Sequence, residues 1–202
     1  MVGVVGAASR ISGAGARALA ICALATAATA QTLVAEGNCR DGQPHGAYEL
    51  KMGNGQLRVA GAFNNGKRTG SFLFWTAAGE RIAHLPFDDG EINGTVALWY
   101  PDKRDPKPKL EAVYVNGRLN GVKRSWHANG RIRAEFRYGA GTLLDADAFD
   151  AAGKRLPAAE ARALATRDAT ADANYYLALD QIVRDNLPCK SAAGDTRTNG
   201  LG

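Results

Sequence analysis

Side chains able to do chemistry are few in this chain, and they are scattered. Its 202 residues include three histidines (His45, His84 and His127) and three cysteines (Cys22, Cys39 and Cys189). A zinc site draws on closely spaced ligand pairs such as H-x-x-x-H or C-x-x-C, and neither spacing occurs here. No G-x-S-x-G and no glycine-rich loop opening a helix is present, so neither a hydrolase elbow nor a phosphate cradle is encoded. Asp145, Asp147 and Asp150 lie close in sequence, and Asp88 and Asp89 share an earlier turn. Paired carboxylates could serve acid–base chemistry or a weak cation site; solvated turn charges are the plainer reading. The expectation is a protein that is not an enzyme, with no catalytic residues, no cofactor and no metal.

Binding residues are easier to find. Trp75, Trp99 and Trp126 each follow a glycine by five residues (Gly70, Gly94 and Gly121), and Lys51 holds that place after Gly46. Four residues before each of these glycines stands another: Gly42, Gly66, Gly90 and Gly117. Three residues before the last three of those come Phe63, Phe87 and Tyr114, and an irregular fifth copy is expected from Phe136 and Gly139. All three tryptophans thus occupy one column of a repeat spaced 24, 24 and 27 residues apart. The column has two readings: core beneath a helix, or an exposed strip for a peptide or glycan. Lys103, Arg104, Lys107 and Lys109, with Lys123 and Arg124 beyond them, could meet an anionic envelope surface. Asp102 and Asp105 dilute that charge, and a solvated loop is the alternative.

The elements that carry these residues read as strands. Tyr48, Leu50 and Met52 alternate with Glu49 and Lys51, Leu110, Ala112 and Tyr114 with Glu111 and Val113, and Ile132, Ala134 and Phe136 with Arg133 and Glu135. Alternation of period two marks a half-buried strand. Gly55, Gly79, Gly130 and Gly153 are expected to close hairpins, with both residues of Asn54–Gly55 and Asn129–Gly130 at positive φ. A longer loop over Asp102–Pro108 accounts for the spacing of 27. One hairpin is unstable alone; stacked copies share one apolar face. After Leu156 alanine replaces glycine. Pro157 can start a helix, Tyr176, Leu179, Val183 and Leu187 form a helical stripe, and Pro188 can end it. With Thr170 or Asp172 as an internal cap, the segment reads as one bent helix or two short ones, a lid on the sheet or a partner-binding helix.

The unit from Tyr114 to Phe136, with Asn116–Gly117, Gly121, Trp126, Asn129–Gly130 and Glu135, resembles a bacterial MORN-repeat variant, and Phe63–Phe87 follows the same pattern. The resemblance covers residues 39–156. It implies a mainly β fold: an elongated antiparallel β-meander of about five hairpin repeats with a C-terminal α-helical segment. It also implies a binding or scaffolding role.

Residues 1–30 read as a signal peptide. Arg10 and Arg17 precede a short apolar run, and Ala28–Thr29–Ala30 forms an A-x-A site. A linker is expected over 31–38, the repeats over 39–156, the helical segment over 157–188 and a flexible tail over 189–202. Cleavage near Ala30 gives a periplasmic or secreted protein with 23 basic against 20 acidic side chains, too mild a charge for nucleic acid. Cys39 and Cys189 remain, and in an oxidising compartment they suggest one disulfide, unpaired thiols being the alternative. The expected function is an exported, non-catalytic scaffold binding a protein or envelope component. A membrane-associated scaffold for anionic lipid is the first alternative. An enzyme subunit using the carboxylates of the last repeat is the second.

Overall fold

A computed structural model describes residues 32–189; the expected signal peptide and residues 190–202 of the expected tail lie outside the described residues. Eleven strands form one antiparallel sheet. They are β1 (Leu33–Arg40), β2 (Gln43–Met52), β3 (Leu57–Asn64), β4 (Lys67–Trp75), β5 (Arg81–Asp88), β6 (Glu91–Ile92), β7 (Gly94–Trp99), β8 (Pro108–Val115), β9 (Arg118–Trp126), β10 (Ile132–Gly139) and β11 (Thr142–Ala148). Neighbours follow chain order throughout, with the short β6 paired to β5 alone. The fold is therefore a mainly β meander followed by a single helix, α1 (Ala158–Arg184). The segment read as a linker is strand β1, which pairs with β2 from Leu33↔Met52 onward.

Two kinds of turn alternate, and they exchange the roles expected of them. The turns with both central residues at positive φ are Asp41–Gly42, Asn65–Gly66, Asp89–Gly90, Asn116–Gly117 and Ala140–Gly141. These are tight turns whose twist matches the strands they join. The series at Gly55, Gly79, Gly130 and Gly153 has positive φ at the glycine only. There the chain makes a three-residue loop, as in Gly55 N–H to the Met52 carbonyl (2.8 Å) and Met52 N–H to the Gln56 carbonyl (2.8 Å). The fifth copy accordingly centres on Tyr138 and Gly141, not on Phe136 and Gly139. Ala140 holds φ 48°, where its Cβ crowds the backbone. Replacing Ala140 with Asn, the residue at two of the equivalent turns, is expected to stabilise the fold by about 1 kcal/mol, read as a raised denaturant midpoint at unchanged m-value.

One sheet face is apolar and packed. Leu50, Val59, Phe74, Ala83 and Leu98 stand opposite one another across five strands, and each is buried. Rings of Tyr48, Phe63, Phe72 and Phe87 lock edge to face, with centroids 5.3–5.5 Å apart. Gly61 is required beneath them, because a Cβ there would lie 2.6 Å from the Phe72 ring.

Helix α1 covers this face as one continuous element. Its 27 residues run about 40 Å at 1.5 Å per residue. Ten strands at ~4.8 Å span about 43 Å, so the helix is matched to the width of the sheet. Each turn of the helix meets an earlier strand. Ala161 and Ala165 pack on β10 and β11, Asp168 pairs with Arg133 of β10, and Asp172 with Lys123 of β9. Tyr176 meets Tyr114 of β8, and Asp180 pairs with Arg68 of β4. Leu179 and Val183 close the larger core. The Tyr48 hydroxyl donates to the Asn186 carbonyl (2.9 Å), and Cys189 is joined to Cys39 of β1 as a disulfide. Thr170 and Asp172 are interior helix residues, so neither caps a second helix. The helix ends at Asp185, before Pro188, which rests against Gly37.

Burial pushes the Tyr48 and Tyr114 phenols up from 10.0 to about 12. A phenol held more tightly in the folded state favours folding fully below pH 10, and that advantage is lost as the pH rises through the folded value. Stability is therefore expected to fall between pH 10 and about 12, by at most about 3 kcal/mol for each phenol. Denaturant midpoints measured across that window should decline less steeply in Tyr48→Phe.

Candidate binding face

Every tryptophan of the column follows a residue on the helix side: Phe74 before Trp75, Leu98 before Trp99 and Ser125 before Trp126. Alternation along a strand therefore turns the three indoles to the face away from the helix. They are half-buried and belong to neither packed cluster beneath α1. Alternation thus favours the strip reading of the column over the core one, although Trp126 also borders, with Ser125 and Arg133, a gap beneath Asp168 and Asp172 of α1.

The column is longer than the glycine spacing shows. Ser125 pairs with Ala134 and Ala134 with Ala148, which puts Phe149 in the row of Trp126. The turns agree: Asp150 makes with Lys154 and Gly153 the hydrogen bonds that Thr76 makes with Glu80 and Gly79. Phe149 is thus the fourth aromatic. One residue separates neighbours in the row, namely Arg81, Pro108 and Ile132, paired with Trp75, Trp99 and Trp126 respectively. The Arg81 guanidinium lies 4.3 Å from the centre of the Trp99 ring, a stacked cation–π contact.

Next to this row a bulge recurs in each returning strand. Register skips one residue at Arg58, Ile82, Lys109 and Arg133. The extra residue of a bulge is re-aimed relative to regular alternation. Ile82 accordingly packs on the core, Arg133 binds Asp168 at 2.6 and 2.9 Å, and the Lys109 ammonium stands 5.5 Å from the Tyr175 ring. Ile132, expected on the apolar stripe, is instead 41% exposed.

The bulge divides the expected basic cluster. Lys103, Arg104 and Lys107 are exposed in the loop between β7 and β8, where the Asp102 carboxylate accepts the Arg104 and Asp105 N–H groups. Lys109 leaves them for the helix side. Lys123 is 1% exposed and bound to Asp172, so it offers nothing to a surface. Arg124 is on the uncovered face, held at 2.6 Å by Glu135.

The carboxylates of the last repeat do not converge. Asp147 pairs with Arg155, Asp150 holds the N–H groups of its own turn, and Asp88 and Asp89 lie at the opposite sheet margin. Among the described residues no three His, Cys, Asp or Glu side chains gather as metal ligands, and no helix is long and apolar enough to cross a membrane. His84 hydrogen-bonds Ser71 (2.9 Å) on the uncovered face, and burial lowers its pKa. Between sheet and helix lies a gap of about 260 Å³, floored by Phe74, Leu85 and Phe87 and closed by Tyr176 and the Arg68–Asp180 pair.

No family model matches the chain, and no curated protein matches it.

Proposed function

We propose that this is an exported, non-catalytic scaffold of MORN-like hairpin repeats that holds a protein partner on the sheet face away from α1. The observation that carries this reading is the row Trp75, Trp99, Trp126 and Phe149 on a face no other element of the described chain covers. Large aromatics on a rigid surface are the usual anchors of protein recognition, since they bring much contact area at low entropy cost. A continuous sheet braced by a helix keeps such anchors at fixed spacing. Export is supported by the Cys39–Cys189 disulfide, a bond that persists in oxidising compartments.

The test is capture from an envelope extract, with the purified partner then added back to the protein. Trp99→Ala, verified as folded by circular dichroism, should lose the partner, and the bound partner should shield the indoles from N-bromosuccinimide. A partner held equally by both proteins, or indoles that stay reactive in the complex, would overturn the proposal.

A further inference from the structure

The aromatic row has a period, and the sheet margin beside it has a charge. Successive aromatics lie two strands apart in one register, which sets them about 9.6 Å apart at ~4.8 Å per strand. The row runs across the strands, so a partner following it lies perpendicular to them. An α-helix repeats every 5.4 Å and an extended strand every ~6.7 Å, and neither stays in phase with such spacing. A polyproline II chain rises 3.1 Å per residue with three residues per turn, or about 9.3 Å per turn. Over three gaps it drifts from the row by only about 1 Å.

The turns beside the row, residues 51–57, 75–81, 99–108, 126–132 and 149–155, hold eight basic side chains against four carboxylates. Two of those carboxylates, Asp102 and Asp150, accept N–H groups of their own turns, and two of the basic side chains are already paired, Lys51 with Glu36 and Glu49 and Arg155 with Asp147, so the excess rests mainly on Lys103, Arg104 and Lys107. The tight turns at the opposite margin, residues 40–43, 64–67, 88–91, 115–118 and 139–142, hold three basic side chains against four acidic ones. Positive charge is therefore concentrated on the aromatic side of the sheet.

We infer that the uncovered face binds an acidic, proline-rich segment in the polyproline II conformation, its prolines lying over the row of Trp75, Trp99, Trp126 and Phe149, whose gaps Arg81, Pro108 and Ile132 fill, and its carboxylates along the basic turns. Three residues per turn place every third side chain on one line, so a Pro-Pro-Glu repeat presents prolines to the rings and glutamates to Lys103, Arg104 and Lys107. Aromatic-lined grooves suit this conformation because it is already ordered before binding. This inference rests on the scaffold reading and adds the chemistry of the partner.

The experiment titrates the full disulfide-bonded protein, by tryptophan fluorescence and calorimetry, with a peptide of about twelve residues repeating Pro-Pro-Glu. The comparators are Pro-Pro-Lys and Gly-Ser-Glu peptides of the same length, a β-1,4-linked oligosaccharide and anionic lipid vesicles. The Pro-Pro-Glu peptide should bind at least about tenfold tighter than either comparator peptide, and less tightly as salt is raised. Trp99→Ala should lose about tenfold or more, with Trp99→Phe restoring part of it. A Lys103/Arg104/Lys107→Ser variant, altered only in an exposed loop, should weaken binding and flatten its salt dependence. Equal affinity for the three peptides, binding of the oligosaccharide or vesicles alone, or no binding would overturn the inference. If a partner is still captured in a Trp99-dependent way under those outcomes, the scaffold reading stands and only the polyproline assignment falls.

Discussion

Asp172→Ala is expected to cost 3–5 kcal/mol, on the order of what is lost when one partner of a buried ion pair is removed. Lys123 is 1% exposed, and its ammonium, 5.9 Å from the centre of the Phe136 ring, is bound to the Asp172 carboxylate. Without Asp172 that charge must be neutralised, or the helix must lift to admit water. Desolvation pushes the Asp172 carboxyl above its ordinary value, against the pull of Lys123. By its sign, this carboxyl contributes stability toward acid pH and loses it as the pH rises through its folded value. Burial thus outweighs attraction for this group. The pair therefore specifies where the helix docks more than it stabilises the docking. The double replacement Lys123→Met with Asp172→Leu should return stability to within about 1 kcal/mol of the parent, or exceed it. Urea denaturation of the two single variants and the double closes the cycle. A loss below about 1 kcal/mol in Asp172→Ala would show that the pair is solvated and that the helix is seated by its apolar residues alone.

The same pair explains why the sequence reads as one bent helix or two short ones where a single continuous helix exists. Helix-facing positions of α1 run Ala161, Ala165, Asp168, Asp172, Tyr176, Leu179, Val183, a regular stripe whose middle is acidic. An apolar stripe that turns acidic looks like a break. It is continuous because Lys123 and Ser125 of β9, with the bulged Arg133 of β10, present a polar seam to it between the two apolar clusters. Charge on both sides of a contact is silent to a hydrophobic pattern read from one side.

The meander was legible because its glycines and alternation are local signals. Which turn is tight was not, since Asn-Gly occurs in both series and only φ separates them. Bulges account for most of the remaining misreadings. One skipped residue moves Arg133 and Lys109 to the helix side and Ile132 out into solvent, although simple alternation assigns them the other way. The tryptophan column was visible as spacing, but its face was not, because a strand such as Phe72–Trp75 is apolar on both sides. Phe149 was hidden by the fifth copy, which is one residue shorter after its first glycine and has Leu144 where the second glycine would stand. Only the strand register restores it.

Reduction of the disulfide, or Cys189→Ser, is expected to cost roughly 5 kcal/mol, because the bond closes a loop of 150 residues and so restricts the unfolded chain strongly. The native state shows how that constraint is used. At its N-terminal end α1 is held to β11 by the short connection through Leu156, whose N–H donates to the Ala148 carbonyl (2.8 Å). At its other end, beyond Val183, the described attachments are the Tyr48 hydroxyl on Asn186, Pro188 against Gly37 and the bond to Cys39. Without the bond, β1 is an edge strand paired on one side only, and it is expected to fray first. Hydrogen exchange of the reduced protein should therefore rise in β1, β2 and the last turns of α1 while β8–β11 stay protected. Uniform loss of protection would mean that sheet and helix unfold as one unit. Unchanged exchange would mean that the ion pairs and the Leu179–Val183 contacts hold the helix without help from the sulfurs.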